Sequence, residues 1–300
     1  MLFLFLGCLN SITYSQDLEP RLLSAIPTGG NFLVASYGHS SGNILLDSSL
    51  PIEDLTADLN NIIVAYARSF KVFNRLAKFD AIVPYSIADF SGLYSNIDTS
   101  TFRNGFGDPL FRVSLILIGA KPYNIAEFSR HSPEKFNLGI SFRVRAPMGQ
   151  YFNDKLINLG ANRWAFKVAA AGSYTVNRRF IIEGQLISWF FTENKSFYNG
   201  NSLAQKPLLT SQLHFSYIFK PGIWAAASVG INFLGSTILN GVERDDEQNN
   251  TRFGFVIAYR IKQHHALKLA FTSGMSTRYG ANFTTILLAY QFMWFDKPKN

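Results

Sequence analysis

Residues 252–261 read Arg-Phe-Gly-Phe-Val-Ile-Ala-Tyr-Arg-Ile, with a large apolar side chain at every second position. In an extended strand, alternate residues point to opposite faces of the sheet. One face would therefore carry bulky residues: Phe253, Phe255, Ile257, Tyr259 and Ile261. The other would carry small residues and single cations: Arg252, Gly254, Val256, Ala258 and Arg260. This period predicts a β-strand, because helical apolar positions recur every three or four residues.

The same alternation recurs along the whole chain and predicts about twelve strands, most of them near the length of a membrane strand. Twelve is an even number, as in bacterial single-chain barrels. The predicted strands are 31–45, 61–73, 78–94, 105–120, 135–148, 164–176, 180–192, 208–219, 223–235, 251–262, 266–277 and 282–294.

The composition of the two strand faces favours a membrane barrel over a soluble β-sandwich. Charged residues make up 16% of the 300 residues, against about 25% in typical soluble domains. The bulky faces often end in Tyr or Trp, as do the lipid-facing strands of outer-membrane barrels. No apolar run reaches the roughly 20 residues of a membrane helix, and only helices or closed barrels can span lipid. We therefore predict an all-β, transmembrane, antiparallel up-and-down β-barrel.

The predicted connections alternate in length, as expected for an outer-membrane barrel with long extracellular loops and short periplasmic turns. Both termini would then be periplasmic. Two connections break the rule: 121–134, where a short helix is expected over Asn124–Arg130, and 278–281. The predicted long connections are 46–60, 95–104, 149–163, 193–207 and 236–250; the predicted short ones are 74–77, 177–179, 220–222 and 263–265.

The first nine residues are rich in Leu and Phe and are followed by polar residues to Gln16. This pattern predicts a signal peptide over residues 1–15, although the usual basic start is missing. A lipoprotein signal at Cys8 and a buried first strand are the alternatives. The barrel would then occupy residues 16–300, in the outer membrane of a Gram-negative-type bacterium, with lipid as an obligate partner.

Neither nucleic-acid binding nor cofactor binding is expected. The 28 Lys and Arg outnumber the 20 Asp and Glu, but they are scattered singly instead of clustered on one face. Cys8 is the single cysteine, and the five histidines lack zinc-ligand spacing. Gly105-Phe106-Gly107 lacks the third glycine of a dinucleotide motif.

The inward faces of the predicted strands carry the candidate pore residues, and cations outnumber anions among them. Asp80 and Lys78 are additional candidates. In a water-filled lumen such a surface favours anions, so Arg143→Ala or Arg145→Ala should change anion preference. The alternative is a lumen filled by interlocked ion pairs. The candidate lumen residues are Arg112, Arg143, Arg145, Lys167, Glu183, His214, Arg252, Arg260 and Lys268.

A hydrolase is a weaker hypothesis, and we expect no enzyme. His39 and Ser41 share one face of a strand within a Tyr-Gly-His-Ser-Ser-Gly-Asn stretch that superficially resembles the nucleophile region of outer-membrane phospholipase A. A serine nucleophile needs a base within hydrogen-bond reach and a third group to orient that base.

The chain resembles the meta-pathway phenol-degradation family of outer-membrane proteins, and the resemblance covers nearly all of the mature chain. It departs at Lys167-Val168-Ala169, where the family usually has Pro-Glu, and in a tail beyond the last aromatic strand, which bears on recognition by the assembly machinery. The matching stretches are Pro27-Thr28-Gly29-Gly30-Asn31-Phe32, Ala67-Arg68-Ser69-Phe70, Gly105-Phe106-Gly107-Asp108-Pro109, Arg145-Ala146-Pro147-Met148-Gly149-Gln150-Tyr151, Asn158-Leu159-Gly160-Ala161-Asn162-Arg163-Trp164, Phe190-Phe191-Thr192-Glu193-Asn194, Gln212-Leu213-His214 and Asn249-Asn250-Thr251-Arg252-Phe253-Gly254.

The resemblance implies passive uptake of small solutes, of phenol-like or anionic character. The alternative is a structural barrel whose surface loops bind a partner. The motif residues Asp108, Asn158, Asn162, Arg163 and Trp164 lie near strand ends. Their loop, 149–163, would either fold inward and narrow the lumen, or cap a strand end with Trp164 in the interfacial aromatic belt.

Overall fold

The computed structural model describes residues 18–45 and 52–297, so the expected signal peptide lies outside the described residues. The described chain forms seventeen strands and one helix. They are β1 (Gly30–Leu45), β2 (Ile52–Val72), β3 (Arg75–Tyr94), β4 (Ile97–Phe106), β5 (Leu110–Ile118), α1 (Ile125–Arg130), β6 (Phe136–Arg145), β7 (Ala165–Thr175), β8 (Phe180–Phe191), β9 (Asn194–Phe197), β10 (Asn201–Gln205), β11 (Leu208–Lys220), β12 (Ile223–Leu234), β13 (Thr237–Leu239), β14 (Val242–Glu243), β15 (Gln248–Lys262), β16 (His265–Ser276) and β17 (Gly280–Phe295).

The main sheet closes into a barrel of antiparallel neighbours, because the first strand, β1, pairs along its length with the last, β17. Twelve wall positions result, since β4 and β5 share one of them. β5 pairs with the lower part of β3, from Ala77 to Ile82, and β4 pairs with the upper part, from Tyr85 to Tyr94. The prediction of a twelve-stranded up-and-down barrel is confirmed.

The predicted strand 105–120 is wrong as a single element, because the fourth wall position is interrupted at Gly107-Asp108-Pro109. Proline has no backbone N–H to give to a ladder. The chain therefore leaves the sheet there and resumes it as β5 at Leu110.

Several connections predicted as loops contain strands. β2 begins at Ile52 instead of residue 61 and pairs with β3 far beyond the level at which β6 ends. Residues 95–104 are mostly β4. The connections 193–207 and 236–250 contribute β9, β10, β13 and β14, which form a separate four-stranded sheet, here called the cap sheet. These segments are polar, which suggested loops, but they pair with one another outside the barrel wall.

The outer surface of the wall is apolar and aromatic. On β15, Phe255, Ile257, Tyr259 and Ile261 are exposed while the intervening residues Val256 and Ala258 are buried. The predicted face assignment of this strand is therefore confirmed, and the exposed band is the surface that a transmembrane barrel presents to lipid.

The short helix α1 lies in the connection between β5 and β6, as predicted. Asn124 caps it: its side chain accepts a hydrogen bond from the Glu127 N–H, and the Glu127 carboxylate accepts one from the Asn124 N–H. This reciprocal capping box satisfies two donors that a helix start leaves unpaired. Among the residues described, no helix has the length and apolarity needed to cross a membrane.

The N-terminal residues Leu18–Ile26, here called the lumen segment, lie inside the barrel. Leu22, Leu23 and Ile26 are almost completely buried and join the apolar core of the inner wall. The segment enters from the end of the barrel that carries the short connections, which we call the turn end, because Gly30 begins β1 there. No sequence pattern predicts this placement, since the segment has no strand period.

Candidate functional site

An ionic layer crosses the lumen. Arg112, Arg143 and Lys167 lie on adjacent strands and are directly opposite one another in register. Glu19 of the lumen segment lies against all three. Its carboxylate is 2.9 Å from Arg112 Nη1 and 3.4 Å from Lys167 Nζ, and it accepts a hydrogen bond from Arg143 Nη2. These four side chains are at most 4% exposed.

Other wall side chains bind the backbone of the lumen segment. The Glu183 carboxylate accepts the Leu22 N–H at 3.1 Å, and Lys78 Nζ donates to the Leu22 carbonyl at 2.6 Å. Gln185 Nε2 donates to the Glu19 carbonyl at 2.8 Å. Unpaired backbone groups are costly in a buried setting, so these contacts hold the segment in one conformation.

The structure brings five of the predicted lumen residues together and leaves four apart. Arg112, Arg143, Lys167 and Glu183 contact the lumen segment directly. His214 lies beside them, with Nδ1 2.8 Å from Ser228 Oγ and Nε2 3.2 Å from Gln185 Nε2. The other four lie elsewhere on the wall. Arg252 donates to Thr272 Oγ1 at 3.2 Å, and Lys268 is buried. Arg145 Nε is 3.9 Å from an Asp108 carboxylate oxygen, and Arg260 is half-buried beside Gly222.

The sequence pointed to the cations but missed their shared partner, Glu19. The predicted additional residue Asp80 also belongs to this layer, where its Oδ1 is 2.9 Å from Arg112 Nε.

A cavity of about 440 Å³ lies at the opposite end of the barrel, which carries the long connections and is here called the loop end. Its size is typical of small-molecule sites. One side of this loop-end cavity is apolar, formed around Leu55, Leu59, Phe90 and Phe283 on the inward faces of β2, β3 and β17.

The other side of the loop-end cavity has polar groups. Arg163 is buried there: its Nη2 donates to Gln205 Oε1 at 2.5 Å, and its guanidinium lies 4.7 Å from the centre of the Phe191 ring. Gln248 and Asp246 also line this side. The cavity therefore combines a large apolar surface with a buried cation, an arrangement that fits an aromatic molecule with one polar group.

The connection 146–164, between β6 and β7, supplies part of the cavity lining, including Ile157, Leu159 and Arg163. Asp108 fastens it to the break between β4 and β5. Its Oδ1 accepts the Gly149 N–H and its Oδ2 accepts the Ala161 N–H, both at 2.9 Å.

Glycine is required where the connection 146–164 meets the break between β4 and β5. A Cβ on Gly149 would lie 2.7 Å from the Asp108 backbone N, and one on Gly160 would lie 2.8 Å from the Gly149 carbonyl carbon. Such contacts are too close for any side chain. The two glycines therefore let the connection 146–164 approach the backbone at Asp108, and the Asp108 carboxylate then accepts hydrogen bonds from it.

The remaining motif residues hold the same connection. Asn158 Oδ1 accepts the Phe152 N–H at 2.7 Å, and Asn162 Nδ2 donates to Asn194 Oδ1 at 2.9 Å. Trp164 is exposed on the outer surface and stacks on Phe166, with ring centres 6.5 Å apart. The connection thus lines the cavity, while its last residue, Trp164, faces outward.

The cap sheet lies over the cavity, to which it contributes Phe197, Leu203 and Leu239. Lys206 Nζ is 2.5 Å from Glu243 Oε1, which also accepts from Ser236 Oγ at 2.9 Å. The hydrogen bond from Lys206, followed by that from Ser236, lowers the pKa of Glu243 below its usual value of 4.5.

No cluster of His, Cys, Asp and Glu suited to a metal ion occurs among residues 18–45 and 52–297.

Comparison with known families gives a match over residues 29–288 to the family described as "Putative MetA-pathway of phenol degradation". No curated protein sequence matches the chain significantly.

Solved structures support the fold. A COG4313 outer membrane channel from Pseudomonas putida F1 superposes with a TM-score of 0.78 at 20% identity, covering 93% of this chain and 100% of that one. The β-domain of the Bordetella autotransporter BrkA gives a TM-score of 0.53 at 9% identity, covering 89% and 100%. At these identities the likeness establishes the barrel architecture alone.

Proposed function

The chain belongs to the phenol-degradation family matched over residues 29–288, and from that membership we propose that it is a passive outer-membrane channel for small aromatic solutes. The observation that carries this proposal is the apolar cavity of about 440 Å³ at the loop end, with the buried Arg163 on one side. The loop end is the extracellular side, because long connections of outer-membrane barrels face outward.

The solute would bind first in this cavity. An apolar lining favours a ring over a hydrated ion, because burying apolar surface contributes about 25 cal/mol per Å². Arg163 supplies a donor for a hydroxyl or carboxylate. The cavity therefore selects amphiphilic small molecules, of which phenol-like compounds are the simplest.

Passage to the periplasm requires the lumen segment to move. The ionic layer and the apolar residues Leu22, Leu23 and Ile26 fill the barrel between the cavity and the turn end. We therefore propose a gated route rather than a permanently water-filled pore. In this proposal Arg112, Arg143 and Lys167 line the gate, while Arg163 and its loop line the binding cavity.

Filling the cavity should abolish uptake. Leu59 is 3% exposed and lines the cavity, so Leu59→Trp should occupy the space that the solute needs. The measurement is uptake of radiolabelled phenol by porin-poor cells that express the channel. We expect the uptake due to the protein to fall at least tenfold.

The matched control is Ile62→Trp, which places the same side chain on the lipid-facing side of the same strand. Uptake should remain as in the wild type. Heat-modifiability on gels checks that both variants fold. Normal uptake by folded Leu59→Trp would refute the cavity as the binding site, and no uptake by the wild type would favour the structural barrel with partner-binding loops.

The hydrolase hypothesis receives no support from the environment of His39. Its Nδ1 is 3.3 Å from Asn60 Oδ1 and its Nε2 is 3.5 Å from Asp58 Oδ2. Both ring nitrogens thus face acceptors on β2, whereas a serine nucleophile would need one of them as its base. Phospholipid hydrolysis that Ser41→Ala abolishes would reverse this conclusion.

A further inference from the structure

Three cations in direct register form a site that needs an anion. Arg112, Arg143 and Lys167 are opposite one another on β5, β6 and β7 and point into the lumen. Like charges directly opposite on one face destabilise a sheet, and buried charges must be paired. The barrel wall therefore presents a preformed receptor for a carboxylate at this level.

The carboxylate that occupies this site belongs to the lumen segment, which lies inside the barrel and is not part of its wall. Glu19 lies on the lumen segment, which is held by wall side chains: Gln185 bonds the Glu19 carbonyl, and Gln212 Oε1 accepts the Glu19 N–H at 3.4 Å. The Glu19 carboxylate bonds two of the cations and lies 3.4 Å from the third. A free carboxylate has the same two oxygen atoms and the same charge.

A continuous series of contacts joins the loop-end cavity to this site. Arg163 lines the cavity and covers the Phe191 ring. Phe191 stacks on Trp189, with ring centres 6.2 Å apart, and Lys167 Nζ is 5.7 Å from the centre of the Trp189 ring. Such alternation of aromatic faces and cations attracts a molecule that combines a ring with a negative charge.

We propose that the Arg112, Arg143 and Lys167 row is a carboxylate subsite for the transported solute, and that Glu19 occupies it as an internal competitor in the closed channel. The solute class is an aromatic carboxylate, which binds first in the cavity and then displaces Glu19. Loss of the Glu19 contacts releases the lumen segment. This inference rests on the proposed function, because it takes the loop-end cavity as the first binding site.

The test compares two probes of similar size, benzoate and the neutral benzyl alcohol, by titration calorimetry on the refolded chain. Glu19→Gln removes the competing charge and keeps the side-chain shape. We expect it to bind benzoate at least tenfold more tightly than the wild type does, with benzyl alcohol binding unchanged. Adding Lys167→Met to Glu19→Gln should remove most of that gain.

Asp296→Asn is the matched control, since it removes a carboxylate paired with Arg68 on the surface, about half exposed. It should leave both affinities as in the wild type. If Glu19→Gln folds poorly, benzoate during refolding should restore the folded barrel, and chloride at equal ionic strength should not.

Equal benzoate affinity in wild type and Glu19→Gln, or failed rescue of a poorly folding variant, would overturn the subsite. If benzyl alcohol still binds in that case, the cavity of the proposed function stands. If neither probe binds to any folded variant, both the cavity and the subsite are refuted.

Discussion

The loop-end cavity and the ionic layer lie in one barrel, and on β7 only one residue, Phe166, lies between Ala165 at the rim and Lys167 in the layer. Both use the inward positions of alternating wall strands, the cavity those of β2, β3 and β17 and the ionic layer those of β5, β6 and β7. Around the cavity these positions are apolar and leave space, whereas in the ionic layer they are charged and a segment of the chain fills the space. The difference divides this lumen into an unfilled apolar compartment and a filled, charged layer.

The largest expected effect comes from breaking the ionic layer. Arg112 bonds both Glu19 and Asp80 and is 1% exposed. Arg112→Ala removes the buried cation that bonds two buried carboxylates, so the free energy of unfolding should fall by about 3–5 kcal/mol. Urea unfolding in lipid vesicles measures it.

The control for that comparison is Arg68→Ala. Arg68 pairs with Asp296 at 2.6 Å, but both side chains are almost half exposed. Pairs of this kind contribute about 0–1 kcal/mol. Similar losses in the two variants would contradict the view that the ionic layer is a dry, closed region.

A smaller effect is expected where the cavity lining is attached. Asp108→Ala removes the acceptor of the Gly149 and Ala161 N–H groups, and loss of hydrogen bonds to a charged group costs about 1.5–3 kcal/mol. The connection 146–164 should detach while the ionic layer stays intact. Limited proteolysis should then cut this connection first, and an unchanged cleavage pattern would show that Asp108 does not hold it.

The smallest effect concerns the cap sheet above the cavity. Because hydrogen bonds lower the pKa of Glu243 in the folded chain, their stabilisation is fully present above pH 4.5 and is lost as the pH falls through the lowered pKa. Hydrogen-exchange protection of β10 and β13, corrected for intrinsic rates, should therefore decrease in acid.

Lys206→Met tests the origin of that decrease, because it removes the main donor to Glu243. The variant should show low hydrogen-exchange protection of β10 and β13 both above pH 4.5 and in acid. If its pH dependence matches that of the wild type, the Lys206–Glu243 contact is not what holds the cap sheet.

The sequence was informative where one physical rule acts on many residues. Alternation predicted the barrel, because every lipid-facing strand must place residues such as Phe255 and Ile257 outward. A short helix was also expected over Asn124–Arg130, and the structure shows it with a local capping box between Asn124 and Glu127. The cations at Arg112, Arg143 and Lys167 were also predicted to face inward from period alone.

The sequence was uninformative where the outcome depends on distant contacts. Leu22, Leu23 and Ile26 are buried by strands far along the chain, and nothing in their own spacing indicates this. Likewise, Glu19 has no local feature that marks it as the partner of three cations. The interruption at Pro109 had a visible cause, but only the paired register of β3 shows that both pieces share one wall position.

The pairing of the first strand with the last has a consequence for biogenesis. The lumen segment directly precedes β1, and β1 meets β17 only after the whole chain has been made. The segment enters through the turn end, so Glu19 reaches the ionic layer along the barrel axis and needs no gap in the wall. Until Glu19 arrives, Arg112, Arg143 and Lys167 face an unfilled lumen and stay hydrated. Closure of the wall and drying of the lumen are therefore separate events during insertion, and the lumen dries only once the lumen segment is in place.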